Sequence, residues 1–169
     1  MTTARIITLY LLILLTTGYA ALGFFFIMCP FEQHFDTLTF IKYWQTVDSY
    51  MGKRMPIYGQ TWLAIFVINL ILFAKTWRIS PIFWLILASL CLLIADMVFT
   101  GQQQIPLNQY IQTLDLNNLT SGQLSKLQGL REQVNKNFGV RDYFQWLMFF
   151  LMSVTPYLLP KLEKRLLEK

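Results

Sequence analysis

The sequence has few cysteines, few histidines and little charge, and each shortage excludes a class of protein. Two cysteines without a CxxC pair form neither a disulfide framework nor a thiol redox centre, and both are predicted to be buried apolar residues. The single histidine, His34, stands without an HxxxH or ExxH pattern, so the sequence predicts no metal and no other cofactor. Charged residues make up only 14% of the chain against 55% hydrophobic residues, which is not a soluble composition.

The basic excess does not indicate nucleic-acid binding. The net charge is +5, but the lysines and arginines are scattered in short clusters beside apolar stretches. There is no glycine-rich phosphate loop and no basic stretch interleaved with aromatic residues. We therefore expect no nucleic-acid partner, and a small membrane protein with lipid as its first partner.

Four apolar stretches are long enough to cross a bilayer, because about 20 residues at about 1.5 Å each span its hydrocarbon core. They cover residues 6–29, 57–74, 82–100 and 143–159. Pro30 and Pro160 are predicted to follow helix ends, and Pro56 and Pro81 to mark helix starts. The sequence thus predicts an all-α fold, a transmembrane four-helix bundle forming one domain over residues 1–169. A cleaved signal peptide is the alternative for the first stretch, but the apolar run is too long for it.

The density of basic residues predicts the orientation of the chain. The N-terminus, the connection 75–81 and the C-terminal tail carry seven basic residues in 22 positions, whereas the two long loops, 30–56 and 101–142, carry seven in 69. By the positive-inside rule the termini are cytoplasmic. The long loops then face the periplasm, the cell exterior or an organelle lumen.

Both long loops contain amphipathic helical patterns. Apolar residues recur every three or four positions in 31–51 and in 124–138, the second pattern beginning at Thr120 or Ser121 and ending at Gly139. We expect both helices on the outer end of the bundle, where they either seal it or form a lid over a pocket. The buried faces should include Trp44 and Leu127, and the exposed faces Asp48 and Lys126.

An amide-rich segment, 102–110, precedes the second of these patterns. Pro106 favours an extended Ile105, so a turn is predicted there rather than a continuous helix.

Polar side chains within the apolar stretches are candidate site residues, because they are costly in lipid. Counting from the outer ends places Gln60, Asp96 and Gln145 in one outer layer. Arg141 or His34 is the candidate counter-charge for Asp96, and we expect Asp96, Gln60 and Asn108 to converge beneath the lid. Asn69 lies deeper and is predicted to join two helices by a hydrogen bond.

The layout resembles a known family. The first stretch ends in the residues GYAALGFFFIMCP (18–30), the element Pro106-Leu107-Asn108 follows the third stretch, and Val140-Arg141 opens the last. These features resemble the anthrone-oxygenase-like family of small four-span membrane proteins, many of which form a domain of unknown function. The chain departs from the family pattern at two positions. Many members have Asn where this chain has Gln104, and they have an Asn three residues before the arginine that opens the last helix. Here Asn137 lies four residues before Arg141.

The resemblance implies cofactor-independent oxidation of a hydrophobic aromatic substrate in an outer-face pocket. A base would remove a ring-methylene proton and donors would stabilise the oxyanion that develops. The implied catalytic candidates are His34 or Asp96 as the base, with Asn108, Gln60 and Arg141 as donors. The candidate pocket residues are Trp44, Tyr110, Gln145 and Trp146.

The alternative function is a non-enzymatic membrane scaffold or subunit that binds a protein partner or a second copy of the chain. The sequence favours it by having no strong catalytic motif. A pocket of a few hundred Å³ lined by the residues above would favour the enzyme, and a mouth filled by lid side chains would favour the scaffold. Transport is a weaker option, since no internal repeat or broken helix is present.

Overall fold

The computed structural model describes residues 3–167, and every regular element among them is a helix, with a non-helical connection at 113–120 between the last two helices. The helices are α1 (Thr3–Met28), α2 (Thr37–Phe73), α3 (Ile82–Phe99), α4 (Ile105–Gln112) and α5 (Ser121–Leu167). Two 3₁₀ turns, at Phe31–His34 and Ala74–Thr76, and a π-helical turn at Thr100–Gln104 connect them. The all-α prediction is confirmed. Lys169, counted above with the cytoplasmic tail, lies outside the described residues.

Three helical segments are long and apolar enough to cross a membrane: α1 with the turn after it, α2, and α3 continued through α4. This is consistent with a membrane protein. The second half of α5 packs against α1, α2 and α3. Its contribution to their shared apolar core includes Met148, Met152 and Leu162, each at most 1% exposed. Asn69 joins α1 to α2 as predicted, donating from Nδ2 to the Thr8 carbonyl at 3.0 Å.

Helix α2 begins later and runs further than the sequence indicated. Asp36 caps it, accepting a hydrogen bond from the Thr39 amide at 3.0 Å, and the Thr39 hydroxyl bond to the same carboxylate lowers the pKa of Asp36. Pro56 lies inside the helix, so its prediction as a helix start is wrong. A proline frees only the carbonyl four residues earlier, here that of Gly52, and Gly52 is exposed where water can bond it.

Helix α5 also continues past both of its predicted ends. A capping box opens it, in which the Gln123 amide donates to the Thr120 hydroxyl and the Thr120 amide donates to Gln123 Oε1. The predicted end at Gly139 is wrong, because residues on both sides of that glycine pack against other helices. The predicted end at Pro160 is wrong as well. Beyond it Leu162 is buried in the core and Arg165 donates to the Ile79 carbonyl, which holds the last turns in place.

The predicted turn at Pro106 is wrong too. Ile105 is helical, with φ −61° and ψ −47°, and its amide donates to the Thr100 carbonyl five residues earlier. The π-helical turn widens the helix just before Pro106. The carbonyl oxygen that would otherwise clash with the proline ring is thereby moved away from it. Helix α4 therefore follows α3 without a loop, and Pro106 occupies its first turn, where a missing amide hydrogen costs little.

Residues 37–51 of α2, α4 with the connection after it (113–120) and residues 121–138 of α5 pack together at one end of the molecule, and we call this unit the lid. Its apolar core is separate from that of the other helices and contains seven buried side chains: Phe40, Ile41, Trp44, Ile111, Leu114, Leu127 and Val134. As predicted, Trp44 and Leu127 are buried and Lys126 is exposed. Asp48 is half-buried rather than exposed, because it accepts a hydrogen bond from Asn108 Nδ2 on α4.

Candidate functional site

Three buried side chains from three helices meet just beneath the lid. Asp96 of α3 accepts from the Tyr19 hydroxyl of α1 at 2.8 Å and from Arg141 Nε of α5 at 3.0 Å. Arg141 Nη2 also donates to the Tyr19 hydroxyl oxygen at 2.5 Å, which closes the ring of contacts. We call Tyr19, Asp96 and Arg141 the triad.

The triad satisfies a carboxylate that would be unstable alone in an apolar core. The ion pair supplies the counter-charge and the phenol supplies a second hydrogen bond to the other carboxylate oxygen. Aromatic rings enclose the group: the Tyr19 ring lies edge-on to Trp62 at 5.0 Å, and the Arg141 guanidinium lies 5.4 Å from the Phe138 ring centre. The triad therefore cross-links α1, α3 and α5 in a water-poor environment.

The predicted pairing of Asp96 with Arg141 is confirmed, but the wider convergence is wrong. Gln60 is exposed on α2 and Asn108 lies within the lid, so neither reaches Asp96. The outer end of α3 was assigned at residue 100, whereas the helical segment continues to Gln112. Asp96 thus lies about 24 Å from the end of that segment, counted at about 1.5 Å per residue, and the α4 part of this length belongs to the lid.

Asn108 is the polar centre of the lid. Its Oδ1 accepts from Trp44 Nε1 at 3.0 Å and from Gln104 Nε2 at 2.6 Å, and its Nδ2 donates to Asp48. These contacts join α4 to α2 and use the amide's hydrogen-bonding capacity almost fully. Asn108 is held as a structural side chain, with little capacity left for a substrate oxyanion.

Other predicted site residues lie apart from the triad. His34 is exposed in the 3₁₀ turn and Tyr110 is 42% exposed on α4, so neither lines an enclosed site. Trp146 is half-buried, with its ring centre 6.5 Å from that of Phe24. The prediction that Cys29 and Cys91 are buried is wrong, since both are free and exposed.

A small cavity of about 60 Å³ lies between the lid and α1. Five aromatic side chains line most of it: Phe26, Phe40, Tyr43, Trp44 and Phe138. Trp44 is the member of this set that the sequence predicted. The lining includes two carboxylates, Glu32 from the turn after α1 and Asp142 from α5. The cavity therefore combines five aromatic side chains with two acidic groups.

The two carboxylates differ in how they are held. Glu32 Oε2 is buried and has no hydrogen-bond partner among the described residues. Asp142 follows Arg141 in sequence and packs on Gly23, where an added Cβ would come within 2.5 Å of Asp142 Oδ1 and 3.2 Å of Gln145 Oε1. Gln145 is 5% exposed, and its Oε1 is also without a partner among residues 3–167. Gly23 thus gives the polar face of α5 room to approach α1.

Tyr19, Glu32 and Asp142 were missed by the sequence reasoning. Tyr19 belongs to the run that carries the resemblance, but a tyrosine in an apolar stretch is not distinctive. Glu32 and Asp142 fell just outside the predicted spans, where acidic residues are ordinary. The available signal was the spacing of Phe138, Arg141, Asp142 and Gln145, which share one face of a helix once α5 is known to be continuous.

The cavity beside the lid is small. The cavity holds about four water molecules at about 15 Å³ of probe volume each, so a molecule of three fused rings does not fit it as it stands. A larger groove of about 340 Å³ lies on the surface of the lid beside Lys42 and Gln45, and none of the predicted site residues lines it. Within residues 3–167 no group of three or more His, Cys, Asp or Glu side chains is placed to hold a metal ion.

Comparison of the chain with protein families, with curated proteins and with solved structures gives no match.

Proposed function

We propose that the protein is a four-span membrane protein with cytoplasmic termini, the lid on the outer side and a small-ligand site beneath the lid. The support for a fourth span comes from residues 143–159 of α5. Their inner face packs against the other helices, while Leu147, Phe150 and Val154 are 46–59% exposed on the opposite face. A helix of 47 residues is about 70 Å long, more than twice the hydrocarbon thickness, so its first half would project into the lid.

The orientation is testable by cysteine labelling. In a background with Cys29→Ala and Cys91→Ala, Ser49→Cys in the lid should react with a membrane-impermeant maleimide on intact cells. Lys75→Cys, exposed in the short connection after α2, should react only after the membrane is permeabilised. Labelling of the Lys75→Cys variant alone on intact cells would show the opposite orientation.

The observation that carries the ligand site is the partnerless Glu32 Oε2 in an aromatic cavity. Glu32 lines the cavity, and its Oε2 is buried without a hydrogen-bond partner among the described residues, whereas a buried polar atom in a native fold normally has one. A polar or charged group bound beside Glu32 would supply that partner. The cavity is too small for a molecule of three fused rings, which favours a non-enzymatic membrane module that binds a small ligand over the oxygenase. The triad then serves as a rigid floor that fixes α1, α3 and α5 around the site.

Two valine variants test whether the cavity holds a ligand. Val134→Phe fills the cavity from the lid, and Val154→Phe makes the same change on the exposed face of α5. Native mass spectrometry of protein released from nanodiscs should show a bound small molecule on the wild type and on Val154→Phe, and none on Val134→Phe. Equal retention by both variants, or no bound mass on the wild type, would contradict the ligand site.

Anthrone oxidation, implied by the resemblance, is a second proposal, favoured by the same carboxylate. Glu32, in place of His34 or Asp96, would take the ring-methylene proton, and the carbanion would be oxidised by O₂ to the anthraquinone with release of water. The lid would have to open to admit three rings. Oxygen consumption with anthrone should then fall in Glu32→Gln and stay unchanged in the exposed control Glu132→Gln. Equal rates in both variants and in protein-free nanodiscs would exclude this reaction.

A further inference from the structure

The cavity beneath the lid has the composition of a cation-binding cage. Aromatic faces attract cations through their electron-rich centres, most strongly where water is excluded. Phe40 and Trp44 from α2, Phe26 from α1 and Phe138 from α5 line the cavity, and Tyr43 adds a fifth ring. The rings come from three helices, so the enclosure depends on the tertiary fold rather than on one local motif.

The charges around the cavity leave negative charge uncompensated. Arg141 is committed to Asp96 in the triad. The other nearby cation, Arg131, lies 5.0 Å from the Phe40 ring centre, but its guanidinium donates to the main-chain carbonyls of Phe35, Glu32 and Gln33 and not to a carboxylate. Three carboxylates, those of Glu32, Asp96 and Asp142, therefore face two guanidinium groups. Two of the three, Glu32 and Asp142, line the cavity, and Glu32 Oε2 has no hydrogen-bond partner among the described residues.

The lining of the cavity suits an organic cation better than a metal ion. A divalent metal needs several oxygen, nitrogen or sulfur ligands around one point, and residues 3–167 contain no group of three or more such acidic, His or Cys side chains. Aromatic walls with one or two carboxylates suit a cation whose charge is spread over methyl or methylene groups, since such a cation is weakly hydrated and contacts ring faces.

We propose that the cavity binds an alkylammonium group, with Glu32 and Asp142 as its counter-charges and the five aromatic rings as its cage. This inference rests on the proposed ligand site and names its ligand class. The volume of about 60 Å³, room for about four water molecules, suits a small ammonium headgroup and not a whole lipid. Such a group is available from two sources at an outer membrane face, a free small amine or the headgroup of a zwitterionic lipid.

Choline and its neutral isostere 3,3-dimethylbutan-1-ol test the charge requirement directly. Both are titrated by calorimetry into the full-length protein in phosphatidylglycerol nanodiscs, which contain no ammonium group. Choline should bind at least about tenfold more tightly than the isostere. Glu32→Gln should remove most of that preference, while Glu132→Gln, the same change at an exposed lid position, should retain it.

Nanodiscs of phosphatidylcholine distinguish the two sources. If the lipid headgroup occupies the cavity, choline should no longer bind in these discs. If only a free amine reaches it, choline should bind as in phosphatidylglycerol. Both results support the ammonium class and differ only in its origin.

Two results would overturn the inference. Equal affinity of the wild type for choline and the isostere would show that the cavity does not select charge, although it would remain a ligand site. Binding of neither compound would exclude the alkylammonium class, and the valine variants would then decide separately whether the cavity binds another ligand.

Discussion

Replacing Arg141 by methionine should be among the most damaging single changes in this protein. The substitution keeps much of the side-chain length but removes the Nε bond to Asp96 and the Nη2 bond to Tyr19. Asp96 then keeps one hydrogen bond, from the Tyr19 hydroxyl, and has no counter-charge within hydrogen-bond distance. Breaking a buried ion pair by removing one partner costs about 3–5 kcal/mol, most of it the penalty of an uncompensated buried charge.

The two partners should not be equivalent. The Asp96 side chain is 3% exposed, whereas that of Arg141 is 14% exposed and long enough to turn toward water. Asp96→Asn leaves an arginine that can relocate its charge, while Arg141→Met leaves a carboxylate that cannot. We therefore expect Arg141→Met to destabilise the fold more than Asp96→Asn. The double variant Asp96→Leu, Arg141→Met removes both charges and should be more stable than Arg141→Met alone.

Thermal unfolding in one detergent, followed by tryptophan fluorescence, measures these differences. A loss of about 3–5 kcal/mol corresponds to a fall in Tm of roughly 6–20 °C for a chain of this size. Arg54→Met, at an exposed arginine stacked on Tyr50, is the matched control and should change stability by less than about 0.5 kcal/mol. If Arg141→Met is no worse than Arg54→Met, or if Asp96→Asn is the more damaging change, the account of the triad is wrong.

Two further pairs of variants test the approach of α1 to α5 and the lid. In the same thermal assay, Gly23→Ala should destabilise the fold by about 1–3 kcal/mol and displace Asp142, because the new Cβ would lie 2.5 Å from Asp142 Oδ1. In Gly18→Ala, the control, the new Cβ meets only the Tyr58 hydroxyl, at 3.7 Å, so this variant should be neutral or slightly stabilising. Asn108→Ala should accelerate amide hydrogen exchange across α4, because it leaves Trp44 Nε1 and Gln104 Nε2 without their acceptor. Asn117→Ala, at an exposed loop position, should leave that exchange unchanged, and equal exchange in the two variants would contradict the structural role of Asn108.

The spans could be predicted from the length of their apolar runs, and the lid parts of α2 and α5 from their apolar periodicity. Helix α4 and the ends of the helices could not. The prediction treated Pro56, Gly139 and Pro160 as boundaries from local preference alone. In each case tertiary contacts or solvent compensate for the backbone hydrogen bond or the helix propensity that is lost. Water can hydrogen-bond to the freed Gly52 carbonyl, and packing on both sides of Gly139 stabilises α5 there. A proline or glycine costs at most a few kcal/mol in a helix, and the burial of several large side chains offsets it.

Of the candidate site, only the ion pair between Asp96 and Arg141 could be predicted from the sequence. A carboxylate in an apolar stretch requires a counter-charge, and this requirement led from Asp96 to Arg141. Tyr19 and the cavity lining follow from no comparable rule, because aromatic residues are everywhere in this chain and their contacts depend on helix rotation. Gln60 shows the same limit. Counting residues along the helix gives the depth of Gln60 but not the direction of its side chain. The side chain is exposed and does not face the bundle.

The continuity of α5 unites these features. Phe138, Arg141, Asp142 and Gln145 stand at positions i, i+3, i+4 and i+7, so one helical face carries a cage wall, the counter-charge of Asp96, a cavity carboxylate and a contact with Gly23. A helix that ended at Gly139 would place Phe138 and Arg141 on separate elements, and the wall of the cavity could then shift independently of the triad. Because the helix is unbroken, the triad fixes the rotation of α5 and thereby the position of the cage wall. Loss of the Arg141 contacts is therefore expected to weaken the ligand site as well as the fold.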